Sequence, residues 1–298
     1  MASVVKKSRG LEGERERTMK VSYYPGCALH GTALEYDEST QALSRLLGVE
    51  MCELPDWNCC GASSAHITDK SLAFELAARN LAIAGAQGMD LVIPCAACYG
   101  RVKAAEKEAQ ARRGAAAPAQ NFRVLNLLEF MAASGLSEKI AALKKRGLAG
   151  LKVACYYGCL LVRPPKVTGA KNHENPEEMD RLMALIGAEP IPWSQKTDCC
   201  GGSLVISRTD IVRRLTQRIF EGAARAGAEA IVVACPLCQS NLDSRQEEIS
   251  REAGKNYDLP VLYFTELIGL AMGHGDAGKW FKRHFVSPAR LLAAKGLI

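Results

Sequence analysis

Two short segments, Trp57-Asn58-Cys59-Cys60-Gly61 and Asp198-Cys199-Cys200-Gly201, set the organisation of this chain. Each pairs adjacent cysteines with a following glycine, and each sits between an upstream cysteine and a downstream Cys-x-x-Cys pair. Ten of the twelve cysteines belong to these two series. We name them the first pentad, Cys27, Cys59, Cys60, Cys95 and Cys98, and the second pentad, Cys159, Cys199, Cys200, Cys235 and Cys238.

Adjacent cysteines disfavour a disulfide between them. Neighbouring Cα atoms are about 3.8 Å apart, whereas an unstrained disulfide needs roughly 4.4 to 6.8 Å. A structural zinc ion typically takes four ligands, which leaves one thiolate of each pentad unused. An iron–sulfur cluster instead offers several irons, so neighbouring thiolates can reach different metal atoms. The pattern therefore favours iron–sulfur clusters, with zinc and redox dithiols as the alternatives.

Composition narrows the class of protein. A chain of 298 residues with 48% hydrophobic and 23% charged content can form two globular domains. The net charge of +6 is scattered, which predicts no nucleic-acid partner. The longest apolar run near the C-terminus, residues 259–272, contains Glu266 and is too short to span a bilayer. Many cysteines without a signal peptide indicate a reducing compartment, so we expect a cytoplasmic protein.

The two halves repeat each other beyond the cysteines. The offset between equivalent cysteines is 132 residues at Cys27 and Cys159 and 140 residues afterwards, so an insertion of 8 residues precedes Cys199. Leu91-Val92-Ile93 also matches Ile231-Val232-Val233, and Val124-Leu125…Glu129 matches Val261-Leu262…Glu266. Strands that alternate with helices predict an α/β fold with two duplicated domains, largely parallel sheets and a pseudo-twofold axis. The pentads should lie beyond the carboxyl ends of the strands.

The predicted boundaries follow from this repeat. They are a disordered leader at 1–19, a first domain at 20–136, a helical linker at 137–150, a second domain at 151–273 and a polar tail at 274–298. We expect His284 in that tail to lie at the surface. Gly61 and Gly201 should adopt positive φ and leave room for a cofactor. His66, shortly after Cys60, is a candidate proton donor or simply an exposed residue.

The cysteine series resembles the cysteine-rich CCG domain family, and within it the B subunit of heterodisulfide reductase. The resemblance covers about residues 20–273 and includes sequence between the cysteines. Examples are Tyr24-Pro25-Gly26-Cys27, Pro94-Cys95-Ala96-Ala97-Cys98 and Cys235-Pro236-Leu237-Cys238. Ten cysteines in the right order make this a specific signal, whereas one Cys-x-x-Cys pair would be a weak one.

The resemblance implies that each pentad holds a noncubane [4Fe-4S] cluster and that a disulfide is cleaved between the two clusters. It also implies two protein partners, one a ferredoxin-like iron–sulfur protein and the other flavin-containing, together with a thiol or disulfide substrate. Two other functions stay open. One is an electron-relay component of a hydroxy-acid or quinone-linked dehydrogenase, and the other is a zinc-stapled scaffold without catalytic activity.

One motif departs from the family. The family sequence Cys-His-Tyr-Gly-Cys-His is replaced by Cys155-Tyr156-Tyr157-Gly158-Cys159-Leu160. Both histidines are missing, so the proton donor at this place would be Tyr156, another residue or water. If Tyr156 has that role, its hydroxyl should point into a cleft shared by the pentads, which we expect to be lined by Gly61, Gly201 and residues near His66.

Overall fold

The computed structural model describes residues 18–62, 64–113 and 120–298. Most of the predicted leader lies outside these residues, and Met19 already belongs to the first strand. The first half contains, in chain order, β1 Met19–Tyr23, α1 Gly26–Leu29, α2 Leu34–Leu46, β2 Val49–Glu53, α3 Ala65–Thr68, α4 Lys70–Gln87, β3 Leu91–Ile93, α5 Ala96–Arg113, β4 Val124–Asn126, α6 Leu127–Ala132 and α7 Ser134–Leu143.

The second half repeats this order and then adds C-terminal helices. Its elements are β5 Lys152–Tyr156, α8 Pro165–Thr168, α9 Glu178–Leu185, β6 Glu189–Pro190, α10 Thr209–Arg225, β7 Ala230–Val233, α11 Pro236–Ala253, β8 Val261–Tyr263, α12 Phe264–Ala271, α13 Ala277–Trp280 and α14 Ala289–Ala294. Short 3-10 turns cover Gly202–Leu204 and Phe281–Arg283. The predicted linker is partly helical, because α7 extends into it.

Each half is built around a four-stranded parallel sheet. The strand orders are β2-β1-β3-β4 and β6-β5-β7-β8, which are the same order in the two halves. All pairings are parallel. The central strands β3 and β7 are fully buried, as expected for strands covered by helices on both faces. The α/β prediction with duplicated domains is confirmed.

Local sequence signals set the ends of the helices that frame the site. Asp69 caps α4 by accepting hydrogen bonds from the amides of Ser71 (2.7 Å) and Leu72 (3.2 Å). Gly88 ends the same helix in the left-handed conformation, with φ of 65°. Asn126 caps α6 through the amide of Glu129 at 2.8 Å. These residues fix where α4 begins and ends and where the chain passes from β4 into α6.

The two halves pack reciprocally. Helix α2 of the first half packs on α12 of the second, and α9 of the second half packs on α6 of the first. At the α2 contact, Tyr36 stacks on Tyr263 with ring centroids 4.0 Å apart, and the hydroxyls of Ser39 and Thr265 lie 2.7 Å apart. Helix α9 is the equivalent of α2, and α12 is the equivalent of α6, so the same helix contact forms twice across the interface. A pseudo-twofold axis produces this arrangement.

The segment 274–298 is not a polar surface tail. Trp280, Phe281 and Leu292 are buried in the hydrophobic core, and α13 packs on both α2 and α12. The side chain of His284 is fully buried, and its Nε2 lies 2.9 Å from Oε1 of Glu266. The prediction that His284 lies at the surface is therefore wrong. Glu266 is buried at the start of α12, and a buried carboxylate requires a partner, which this segment supplies.

Candidate metal centre

All ten cysteines of the two pentads line one cavity of about 210 Å³. The strands deliver them to this place: Cys27 follows β1, Cys95 follows β3, and Cys159 and Cys235 follow β5 and β7. Parallel strands end at the same edge of a sheet, so the cysteines of each half converge there. The pseudo-twofold packing then brings the two edges together. The two pentads therefore share a cavity, as the duplication predicts.

Adjacent cysteines point in different directions. Cys59 and Cys199 are exposed, whereas Cys60 and Cys200 are buried. The Cys60 and Cys98 sulfurs are 3.1 Å apart, and those of Cys200 and Cys238 are 3.7 Å apart. These distances exceed the S–S bond of about 2.05 Å, and all twelve cysteines are free thiols. Each pentad thus presents sulfurs on more than one side of its cavity.

Gly61 and Gly201 hold the two Cys-Cys loops. Their φ angles are 71° and 78°, and their amides donate to the sulfurs of Cys59 (3.4 Å) and Cys199 (3.3 Å). A Cβ at Gly61 would lie 2.8 Å from the Cβ of Ala65, so a side chain does not fit. The cavity itself is lined by the neighbouring Ala62 and Gly202. The glycines therefore position sulfurs, and the expectation that they line the cleft is wrong.

Two further glycines make room for sulfur, a role that the sequence patterns alone do not single out. Gly26 and Gly158 have φ of 67° and 66°. A Cβ on Gly26 would lie 3.0 Å from Sγ of Cys98, and one on Gly158 would lie 2.9 Å from Sγ of Cys238. The repeated signal that could have identified them is a glycine directly before the first cysteine of each pentad.

Hydrogen bonds among the thiols divide them into more and less acidic groups. The contact with Cys98 lowers the pKa of Cys60 to about 7, and the contact with Cys159 lowers the pKa of Cys199 to about 6. Across the halves, Cys235 bonds with Cys95 and raises the pKa of Cys95 above its ordinary value. The deprotonated thiolate is the form that ligates metal, so the cavity combines a soft donor set with easily deprotonated members.

Tyr156 does not face the cavity. Its hydroxyl donates to the carbonyl oxygen of Asp198 at 2.6 Å. Tyr24, the equivalent residue of the first half, donates to the carbonyl oxygen of Asn58 at 2.8 Å. Both bonds hold the residue that precedes a Cys-Cys pair. The hydroxyl of Tyr156 does not point into the cavity, which is the orientation we expected of a proton donor, and a catalytic role for Tyr156 stays a prediction.

The next residue, Tyr157, lines the cavity instead. Its hydroxyl is engaged elsewhere: it donates to Oδ2 of Asp180 at 2.7 Å and accepts from the amide of Met179 at 2.8 Å. Lys196 is buried and pairs with Asp180 at 2.9 Å. Tyr157 therefore presents its ring, held in place by this network, to the cysteines.

His66 lies in the short helix α3, half-buried and outside the lining of the cavity. Its Nδ1 is buried and has no hydrogen-bond partner within the described residues. Desolvation, followed by the positive charge of Arg101, lowers the pKa of His66. The ring is therefore neutral at neutral pH, and a catalytic role for His66 stays a prediction.

The sulfurs do not form a preformed site for one metal ion. Within 18–62, 64–113 and 120–298, no three His, Cys, Asp or Glu side chains converge as ligands of a single ion. All ten sulfurs line one cavity, and thiolates are soft donors of the kind that hold iron–sulfur clusters and zinc. In the same part of the chain, no helix has the combined length and apolar character needed to cross a membrane.

Comparison with known proteins agrees with this arrangement. The family model of the cysteine-rich domain, CCG, matches residues 21–103 and 153–243. The chain is 32% identical over 262 residues to the 8-methylmenaquinol:fumarate reductase membrane anchor subunit of Wolinella succinogenes, covering 85% of this chain and 92% of the relative. It is 28% identical over 289 residues to the B subunit of the ferredoxin:CoB-CoM heterodisulfide reductase of Methanosarcina mazei, covering 92% and 96%.

A solved structure shares the fold. A hypothetical protein from Helicobacter pylori superposes with a TM-score of 0.70 at 13% identity. The match covers 90% of this chain and 52% of that one, so this chain spans about half of the longer protein. At this identity the likeness concerns the fold alone.

Proposed function

The chain belongs to the cysteine-rich CCG domain family, and from this we propose that it is the catalytic iron–sulfur component of a heterodisulfide reductase-like complex. It reduces a disulfide, or oxidises thiols in the reverse direction, between two noncubane [4Fe-4S] clusters. The proposal is supported by relatives that are named as components of reductases, among them the B subunit of heterodisulfide reductase.

The observation that carries the proposal is the single cavity lined by both pentads. Cleavage of a disulfide consumes two electrons and two protons and yields two thiols. When bound, the two clusters would supply the electrons, one pentad holding each cluster. A substrate between the pentads can contact both, because the two sets of sulfurs line the same space.

The chain's own residues organise this site. The amides of Gly61 and Gly201 donate to the sulfurs of Cys59 and Cys199 and so position them. At Cys199, the contact with Cys159 lowers the pKa of the thiol, and the bond from the amide of Gly201 adds to this effect. Tyr24 and Tyr156 fix the Cys-Cys loops. His66 remains the candidate for proton transfer and would act through water, since it lies in α3 outside the lining of the cavity.

The same proposal includes partners and location. A Gly-x-Gly-x-x-Gly sequence at residues 273–278 follows helix α12 and no strand precedes it, so it lacks the strand–turn–helix context of a flavin or nucleotide fingerprint, and electrons would come from two partner proteins of the same complex. One is a ferredoxin-like iron–sulfur protein and the other contains flavin. The complex would work in the cytoplasm, where cysteines stay reduced.

Anaerobic reconstitution tests the proposal. We expect about eight irons per chain, from two four-iron clusters, and reduction of a disulfide by viologen-supplied electrons with two thiols formed per disulfide. Zinc in both pentads, or full iron content without any disulfide or thiol turnover, would contradict it.

A second function is favoured by one observation, the 32% identity to a component of a menaquinol-oxidising fumarate reductase. In that case the chain would relay electrons from a quinol to a partner enzyme and would not cleave a disulfide. Reconstituted protein mixed with a reduced menaquinone analogue distinguishes the two. Oxidation of the quinol together with inertness toward disulfides would support the relay.

A further inference from the structure

A second cavity, of about 270 Å³, lies between the two halves, and we name it the interface cavity. Tyr157 lines both this cavity and the cavity of the pentads. The walls of the interface cavity include the buried side chains of Tyr99, Leu128 and Leu161. Polar residues also line it, among them Asn126, Glu129, Lys171 and Glu178. It combines an apolar, aromatic interior with two carboxylates.

The internal repeat provides a counterpart for this cavity in the same molecule. Tyr99 corresponds to Gln239 at the offset of 140 residues that relates the later cysteines. Asn126 and Glu129 correspond to Tyr263 and Glu266 at an offset of 137, the offset that relates strands β4 and β8. Each pair occupies equivalent positions in its half, at the start of α5 or α11 and at the junction of β4 with α6 or β8 with α12.

In the second half, Gln239, Tyr263 and Glu266 surround a cationic side chain of the same chain, His284. The ring of His284 lies with Nε2 2.9 Å from Oε1 of Glu266 and Nδ1 3.1 Å from the side-chain amide of Gln239. Its ring centroid is 6.5 Å from that of Tyr263. Burial acts to lower the pKa of His284, but Glu266 and Asp243 outweigh it and raise the pKa to about 9. The imidazolium is thus the form bound at neutral pH.

The structure also explains why the interface cavity is open. Helix α2 has 13 residues and places Tyr36 over Tyr263, whereas its equivalent α9 has only 8 residues and begins after the insertion. The equivalent of Asp243 is Lys103, whose Nζ bonds with Glu106 at 2.7 Å and with the carbonyl oxygen of Val124 at 3.2 Å. The segment that carries His284 follows only the second half.

The electrostatics of Glu129 favour an added cation. Glu129 is an exposed residue, unlike the buried Glu266, and partial desolvation by the surrounding protein raises the pKa of its carboxyl. Lys103, the backbone of Asn126 and Arg123 oppose this rise, and Glu178 adds the smallest contribution to it. A cation placed between Glu129 and Glu178 would offset the repulsion between the two carboxylates.

We propose that the interface cavity binds a planar cationic nitrogen group, an imidazolium, guanidinium or amidinium, with Glu129 as its counter-ion. The group belongs either to a small molecule or to a basic side chain of a partner polypeptide. A side chain would bind there as His284 of this chain binds beside Glu266. This site is independent of the function proposed for the pentads, because none of the ten cysteines lines it.

Anaerobic calorimetry on the full, cluster-loaded chain tests this site with two probes. One is benzamidine, a planar aromatic cation, with neutral benzamide as its control. The other is a peptide copying residues 280–288 of this chain, with alanine at the position of His284 in its control. We expect at least one cationic probe to bind and its control to bind at least tenfold more weakly. Tighter binding of benzamidine assigns the site to a small molecule, and tighter binding of the peptide assigns it to a polypeptide.

The variants separate the cavity from the rest of the surface. Glu129→Gln should weaken binding at least tenfold, and Ala170→Trp, which fills the cavity from its half-buried wall, should abolish it. The matched control Glu108→Gln removes an exposed carboxylate that pairs with Arg112 in α5, and it should bind as the parent does. Unchanged electron paramagnetic resonance spectra in all variants would show that the pentads are intact. Equal affinity in the parent and Glu129→Gln, or no binding of either probe, overturns the proposal.

Discussion

Replacing Gly158 with alanine should lower the free energy of unfolding by more than backbone strain alone and should disturb the second pentad. Gly158 has φ of 66°, and a side chain in this left-handed region costs about 1 to 2 kcal/mol. The added Cβ would also lie 2.9 Å from Sγ of Cys238, closer than real Cβ contacts. Cys238 is buried beside Cys200, so its sulfur cannot move away without changing that pair.

Gly169→Ala provides a matched control. Its φ is 77°, but nothing lies within 4 Å of the added Cβ, so it carries the strain without the sulfur contact. Urea denaturation of both apo variants should show a loss of about 1 to 2 kcal/mol for Gly169→Ala and a larger loss for Gly158→Ala. After anaerobic reconstitution, only Gly158→Ala should lose the signal of one cluster. Equal stability and equal cluster content in the two variants would refute the steric argument.

Three other predictions follow from single contacts. Tyr156→Phe should retain disulfide turnover and lose about 1 kcal/mol of stability, the typical net value of one hydrogen bond; a complete loss of turnover with intact clusters would restore its role as a proton donor. His284→Gln should destabilise the chain by about 3 to 5 kcal/mol, because Glu266 is left buried without its partner. The folded-state pKa of His284 is raised from 6.5 to about 9, so the stabilisation that it contributes is complete below pH 6.5 and is lost as the pH rises through 9. The free energy of unfolding of His284→Gln should lack this pH dependence. Cys60→Ser should remove one cluster signal while Cys52→Ser, outside the cavity, leaves both; identical iron content in the two variants would contradict the pentad assignment.

Much of the fold follows from local patterns that the chain repeats. Alternating strands and helices with fixed offsets predicted the parallel sheets of both halves. The matched segments 91–93 and 231–233 lie in the strands Leu91–Ile93 and Ala230–Val233, and the matched residues 124–125 and 261–262 lie in Val124–Asn126 and Val261–Tyr263. These strands depend on residues that are close to each other in the chain and on the offset that relates the two halves. Both can be recognised in a single sequence.

The orientation of individual side chains required the tertiary structure. Tyr156 and Tyr157 are adjacent and chemically identical, yet Tyr157 lines the cavity of the pentads whereas the hydroxyl of Tyr156 donates to the backbone of Asp198. The sequence predicted a surface position for His284 because its neighbours are polar, and only packing of the C-terminal segment shows the buried Glu266 that binds it. The space required by Sγ of Cys238 likewise gives Gly158 a role that its turn position alone does not show.

The interface cavity also could not be predicted from the sequence. Its walls come from α5, α6 and the segment 161–178, which are far apart in the chain and meet only when the halves pack. Spacing along a chain determines which side chains share a strand or helix face, and so it predicted the ten cysteines and the paired sheets. Contacts between distant segments depend instead on how whole elements pack against each other, and no local pattern records that Glu129 and Glu178 line one cavity or that the shorter α9 leaves it open.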